Sequence, residues 1–276
     1  MKTILCFWGA ILVLFLQATP QATAQNNWQN FRNRVEGYYY NIEQTGVENF
    51  SCLFTTGGYL DYVYTNFDSS YNYPLKMIWT RQGKVWYILQ PYPPLLDEKV
   101  KKEMLAQIQL VRKTFKGFFL DWQSFLLTSP FSDIPDDAEV TVGRDSIQIK
   151  YTSGEGDLTA VVKKLFLPSG KLIQVTVESL GAVVVNYPIY TEVENKWVCI
   201  GWNSQIYKEG NISSGIACRM ELQKISGYWM PIRADMLVQI SQKPEEKYLN
   251  TIYLKDYIFN IPLQEIQQRE TPGKEP

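Results

Sequence analysis

Cys218-Arg219-Met220-Glu221-Leu222-Gln223, Ile232-Arg233-Ala234-Asp235-Met236-Leu237-Val238-Gln239-Ile240 and Thr251-Ile252-Tyr253-Leu254-Lys255-Asp256-Tyr257-Ile258-Phe259 decide the fold. The first two alternate apolar and polar residues, with one lapse at Leu237. The third is looser and carries large side chains at both parities. A period of two sends successive side chains to opposite sides of a sheet. Three such runs close together predict neighbouring antiparallel strands with one apolar face.

The same pattern extends backwards. Strands are expected at Glu139–Val142, Ser146–Thr152, Ala160–Leu167, Leu172–Glu178, Ala182–Asn186 and Trp197–Ile206, with turns at 143–145, 153–157 and 168–170. Spacing this regular suggests an antiparallel sheet, sandwich or barrel. Earlier, Asn49–Thr56 reads as a strand with Phe50, Cys52 and Phe54 on one side, and Leu75–Thr80 with Lys84–Gln90 as a hairpin about Gly83. Residues 59–73 fit no element clearly.

Helices are confined to the first half. Trp28, Phe31, Val35, Tyr38 and Ile42 mark an amphipathic helix ending at Gly46. From Asp97 to Leu127 the apolar residues Val100, Met104, Ile108, Val111, Phe115, Phe118, Trp122 and Phe125 recur every three or four positions. Gly117 is a candidate break in that segment. Helices against an antiparallel sheet give the class α+β.

The N-terminus reads as an export signal. Met1-Lys2 precedes an apolar run from Ile4 to Leu16, and Ala22-Thr23-Ala24 has the small-x-small form of a cleavage site. The run is shorter than the ~20 residues that span a bilayer. Residues 1–24 are therefore expected to be a signal peptide, residues 25–263 one domain, and the polar, proline-bearing residues 264–276 a disordered tail. The expected destination is the periplasm or the exterior.

The 276-residue chain contains no histidine, which excludes Ser-His-Asp and Cys-His catalysis and histidine-ligated zinc. No cofactor or metal motif is present. A net charge of −1 gives no sign of a nucleic-acid partner. Aromatic residues make up 14%, more than a surface needs, so many must be buried or line a concave surface. Cys199 and Cys218 flank the turn at 208–211 almost symmetrically, which fits a cross-strand disulfide; with Cys52, three buried free thiols fit equally well. No nucleophile motif survives inspection. Among carboxylates, Asp136-Asp137 reads as a solvated loop pair, and Asp235 with Asp256 is the one pair on neighbouring strands that a histidine-free hydrolase would use. Lys99, Lys101, Lys102, Arg112, Lys113 and Lys116 lie off the helical stripe, as a solvated face or one that meets anionic lipid head groups.

The order of parts resembles a known family. Asn49-Phe50-Ser51-Cys52-Leu53-Phe54 is followed by the hairpin Leu75-Lys76-Met77-Ile78-Trp79 to Gly83-Lys84-Val85-Trp86-Tyr87. The helical insertion ends at Leu126-Leu127-Thr128-Ser129-Pro130. The chain closes with Gly227-Tyr228-Trp229-Met230-Pro231-Ile232-Arg233-Ala234-Asp235-Met236 and Leu254-Lys255-Asp256-Tyr257-Ile258-Phe259-Asn260. This is similar to the periplasmic lipoprotein-carrier superfamily. The resemblance implies a curved antiparallel half-barrel whose concave face is covered by helices, with acyl chains held between them. No residue matches the arginine that latches the lid in the carriers, so binding of an apolar ligand is expected more broadly than lipoprotein shuttling.

On this reading Trp79, Trp86, Met220, Met236 and Val238 are wall positions, and Phe115, Phe118 and Trp122 form the lid face. The expected partners are a lipid or the acyl chains of a lipoprotein, together with an envelope protein. Each acyl CH2 taken out of water contributes ~0.8 kcal/mol. Two other readings compete: an envelope interaction protein with a filled core, and the carboxylate hydrolase.

Overall fold

The computed structural model describes residues 20–94, 97–154 and 159–262. Of the sequence expectations, positions 1–19 of the leader, positions 155–157 of the turn at 153–157, residue 263 and the tail 264–276 lie outside these residues.

Twelve strands form one open antiparallel sheet in the order β3-β2-β1-β12-β11-β10-β9-β8-β7-β6-β5-β4. They are β1 (Asn49–Thr56), β2 (Leu75–Thr80), β3 (Val85–Leu89), β4 (Glu139–Val142), β5 (Ile147–Ser153), β6 (Ala160–Phe166), β7 (Leu172–Ser179), β8 (Ala182–Val193), β9 (Lys196–Lys208), β10 (Asn211–Ile225), β11 (Tyr228–Ile240) and β12 (Lys243–Phe259). The helices are α1 (Pro20–Val35), α2 (Gly57–Asn66) and α3 (Glu98–Trp122). The α+β class and the meander from Glu139 onward are as the sequence pattern indicates. The last strand returns to pair with the first, so β12 lies between β1 and β11.

Several expected elements differ. The segment 28–45 is not one helix. α1 stops at Val35, and short 3-10 turns follow at Glu36–Tyr38 and Ile42–Thr45, the second capped by the Asn41 side chain and closed by Gly46 in the left-handed region. Unwinding at Gly37 exchanges two neighbours: Tyr38 is exposed, and Tyr39 takes the buried place. The Tyr39 hydroxyl donates to the Gly170 carbonyl at 2.6 Å and accepts from the Leu172 N–H at 2.6 Å, tying this segment to the β6–β7 turn.

Residues 57–66, unassigned from sequence, form α2, with Thr56 accepting from the Tyr59 N–H at its N-cap. Gly117 does not break α3; a π-helical turn at Gln123–Leu127 prolongs the helix, closed by the Thr128 N–H on the Gln123 carbonyl. Strands β8, β10, β11 and β12 run well past their expected bounds.

Bulges explain the irregular patterns. Opposite Cys52, β12 contributes two residues, Asp256 and Tyr257, and Asp256 has φ +55°. Leu254 and Tyr257, three apart, therefore share a face, and both parities of β12 carry large side chains.

One face of the sheet carries the main core, against α3. Phe115 stacks on Phe54 with centroids 3.8 Å apart, Phe118 on Trp202 at 5.8 Å, and Trp122 meets Phe50 at 5.9 Å. Offset and tilted rings at these separations add to the gain from burying their area. Among the described residues no helix is long and apolar enough to cross a membrane.

Candidate functional site

Register sorts the residues expected to line a binding wall. Met220 pairs with Ala234, Met236 with Cys218 and Val238 with Ile216, while Cys218 pairs with Trp202; all of these share the face that meets α3. Trp79 is on that face too, beside Phe50 at 5.3 Å. Trp86 is not. It pairs with Ile78, while Trp79 pairs with Val85, so Trp79 and Trp86 occupy opposite faces. That corrects the single wall drawn through both tryptophans.

The positions also differ in what they leave open. Trp79, Phe115, Phe118 and Trp122 are each exposed by 1% or less and pack ring against ring. Side chains fill the space between sheet and helix there. Met220 and Met236 are buried at the margin of this core, and Val238 is half-buried.

Open space lies beside it. A cavity of about 390 Å3 sits where the end of α3 and residues 123–133 pass over β6, β7 and β8. Its apolar lining includes Leu120, Phe125, Val162, Leu172, Val175 and Val177. Ser129 holds this segment in place: its N–H donates to Glu43 at 3.0 Å and its hydroxyl to Glu36 at 2.9 Å. A second cavity of about 350 Å3 lies beside the middle of α3, between Gln107, Leu110 and Thr114, the start of α2, and Leu249-Asn250-Thr251.

Polar side chains enter the larger cavity from both the sheet and α3. Lys164 is buried on β6, where it donates to the Pro130 carbonyl at 2.8 Å and pairs with Asp133. Burial lowers the Lys164 pKa, and Asp133 opposes that shift. The Tyr151 hydroxyl also donates to Asp133, at 2.5 Å. Across the cavity, Asp121 projects from α3. Burial pushes its pKa up to about 6, offset in part by a hydrogen bond with Trp202. The Asn186 side-chain amide donates to Asp121 at 3.4 Å. Asn186 Oδ1, Ser204 Oγ and Tyr190 Oη are buried without a hydrogen-bond partner, an arrangement rare in protein interiors.

Asp121, Asn186, Ser204, Lys164 and Asp133 were not singled out from sequence. A signal existed. Lys164, Asn186 and Ser204 occupy core-facing parity in apolar strands, and Asp121 interrupts Phe118-Phe119-Leu120-Asp121-Trp122.

The carboxylate pair does not assemble. Asp235 is opposite Thr251 and bonds to Arg233 and Thr251, whereas Asp256 lies five residues further along β12 beside Lys255. Five residues of strand span about 16 Å, so the two carboxylates share no cleft. Asp136 and Asp137 are exposed in a loop.

The cysteines are not bridged either. A bulge near Ser213 shifts the β9–β10 register so that Cys218 faces Trp202, three residues from Cys199. Cys52, Cys199 and Cys218 are buried free thiols, and burial raises the pKa of each. Among the described residues no group of three acidic or cysteine side chains could hold a metal ion. No protein-family model, curated protein or solved structure matches this chain.

Proposed function

We propose that the chain binds an amphiphile, a lipid or the acyl chain of a lipidated protein, in a groove between the sheet and one side of α3. One observation carries this reading: a single face of α3 connects the two cavities. Gln107, Leu110, Thr114, Gly117, Asp121 and Ser124 recur at spacings of three and four and so share that face. Its first three residues line the smaller cavity, and Asp121 and Ser124 line the larger. At Gly117, midway, a Cβ would meet nothing within 4 Å.

The sheet offers a matching apolar strip. Val177 pairs with Val184, Val184 with Ile206, Ile216 with Val238 and Val238 with Tyr248, while Ile206 and Ile216 are diagonal neighbours. None of these side chains is fully buried. The strip begins at the larger cavity, which Val177 lines, and ends beside Leu249 and Asn250 of the smaller. Half-exposed aliphatic residues in a row next to a cavity suit a flexible hydrocarbon chain.

On this reading the sheet is the curved half-barrel of the lipoprotein-carrier superfamily and α3 covers its concave face, with the ligand lying beside the aromatic packing and not through it. Export through the N-terminal signal would place the binder in the periplasm or outside the cell. The closed aromatic contacts of Phe115, Phe118 and Trp122 favour the competing reading of an interaction protein with a filled core.

Nile red, an uncharged dye whose emission shifts in apolar surroundings, separates the two. The groove predicts saturable, blue-shifted emission at micromolar dye. Val177→Trp and Leu110→Arg, at opposite ends, should each weaken binding at least fivefold while the circular dichroism spectrum is retained. A chain that gives no saturable emission has no such groove, and the filled-core reading then stands.

A further inference from the structure

The polar end of the larger cavity constrains the head group, an inference that rests on the groove proposed above. Two side chains from two elements line it, Asp121 on α3 and Asn186 on β8, with Ser204 on β9 beside Asn186. Asn186 and Ser204 are direct cross-strand partners, exposed by only 8% and 4%. The Asn186 amide donates to Asp121, and the Trp202 indole is the side chain hydrogen-bonded to Asp121. Asn186 Oδ1 has no partner and can only accept, the unpaired Ser204 hydroxyl can accept or donate, and Asp121 is an acceptor when ionised.

The charges point the same way. The one buried cation lining this cavity, Lys164, is matched by Asp133 and by the Pro130 carbonyl. Asp121 has no ion-pair partner within the cavity lining. An anionic head group would meet the Asp121 carboxylate, and an apolar terminus would leave buried acceptors unsatisfied, which is costly. A cationic group rich in N–H donors satisfies both the charge and the unpaired acceptors.

We infer that the groove selects a single-chain amphiphile with an ammonium head, seated against Asp121 and Asn186. The chain would run from there over Val177 and Val184 along the sheet.

Displacement of bound Nile red at pH 7.5 tests this with two probes of equal chain length, dodecylammonium and dodecanoate, each kept below its micelle-forming concentration. Dodecylammonium should displace the dye at concentrations at least tenfold lower than dodecanoate. In Asp121→Asn and in Asn186→Leu that advantage, expressed relative to each variant's own Nile red affinity, should fall below threefold. Equal or stronger displacement by dodecanoate overturns the inference, as does an ammonium preference that survives Asp121→Asn. If Nile red binds and no head-group preference appears, this inference fails and the groove stands. If Nile red does not bind, the groove itself fails and the inference falls with it.

Discussion

Asp121 shows how one residue couples site and stability. Its carboxyl lies among Trp202, Asn186 and the apolar lining of the cavity, and its pKa is pushed up to about 6 chiefly by burial. A raised carboxyl pKa means that the folded chain favours the protonated form. The stability this residue contributes is fully present below the ordinary carboxylate range and is lost as pH rises through about 6. The other titratable groups facing it behave differently. Cys199 and Cys218 have thiols pushed upward by burial, Cys199 to about 12, so they stay protonated throughout this range. Lys164 and Asp133, which line the same cavity, neutralise one another. Asp121→Asn removes the ionisation and keeps the shape. It should make the chain more stable at pH 7.5 by about 1–2 kcal/mol, a figure reduced to allow for partial exposure. The difference should shrink towards zero at pH 4. Urea unfolding at the two pH values measures it, and a difference of equal size at both would rule out ionisation of Asp121 as the cause.

At the scale of the element, α3 has two unlike sides. Its aromatic stripe was legible because Phe115, Phe118, Trp122 and Phe125 repeat at helical spacing and have no polar competitor. The side proposed to face a groove was not legible, because Gln107, Thr114, Gly117, Asp121 and Ser124 read as an ordinary solvated face. Gly117 is exposed in the helix interior with open space where a Cβ would lie. Gly117→Ala should therefore raise stability by about 0.5–1 kcal/mol, since alanine loses less backbone freedom on entering a helix. A lower urea midpoint in this variant would mean that the helix is strained at that point. The strands show a similar division. Alternation revealed β5 and β6, where buried residues alternate, and the parts of β10 and β11 where Cys218 with Met220 and Ala234 with Met236 are buried two apart. It did not reveal the second half of β8, where Pro188 and the bulge at Ile189 and Tyr190 break the pattern. Nor did it reveal the opposed faces of Trp79 and Trp86, or the offset of Cys199 from Cys218. Those depend on turn and bulge geometry, in which a single residue reverses every side chain that follows. α2 was missed because Tyr59, Tyr62, Val63 and Tyr64 are aromatic or β-branched, types that favour strands, and tertiary packing overrides that preference.

At the scale of the molecule, the pairing of first strand with last sets where the sheet is firm and where it yields. Ile252 and Tyr253 have partners in both β1 and β11, and Ile252 and Leu254 are exposed by 2% or less. The sheet edges are β3 and β4, and β4 is a four-residue strand with no fully buried side chain. Hydrogen exchange should accordingly be slowest at residues 252–254 and fast in β4. The β9–β10 and β11–β12 turns should also exchange quickly, because Ile212, Ile240 and Tyr248 are substantially exposed there. These outer reaches carry the apolar strip, so an occupied groove should act on them and leave the centre unchanged. With Nile red bound, amides around Ile206, Ile216 and Val238 should gain protection of at least fivefold, while residues 252–254 should keep their rates. The reason is local: a chain lying across half-exposed strands lowers the chance that those strands open, whereas the central strands already open only with the whole fold. Protection confined to β1 to β3 on dye binding would locate the ligand on the aromatic core and remove the strip from the site.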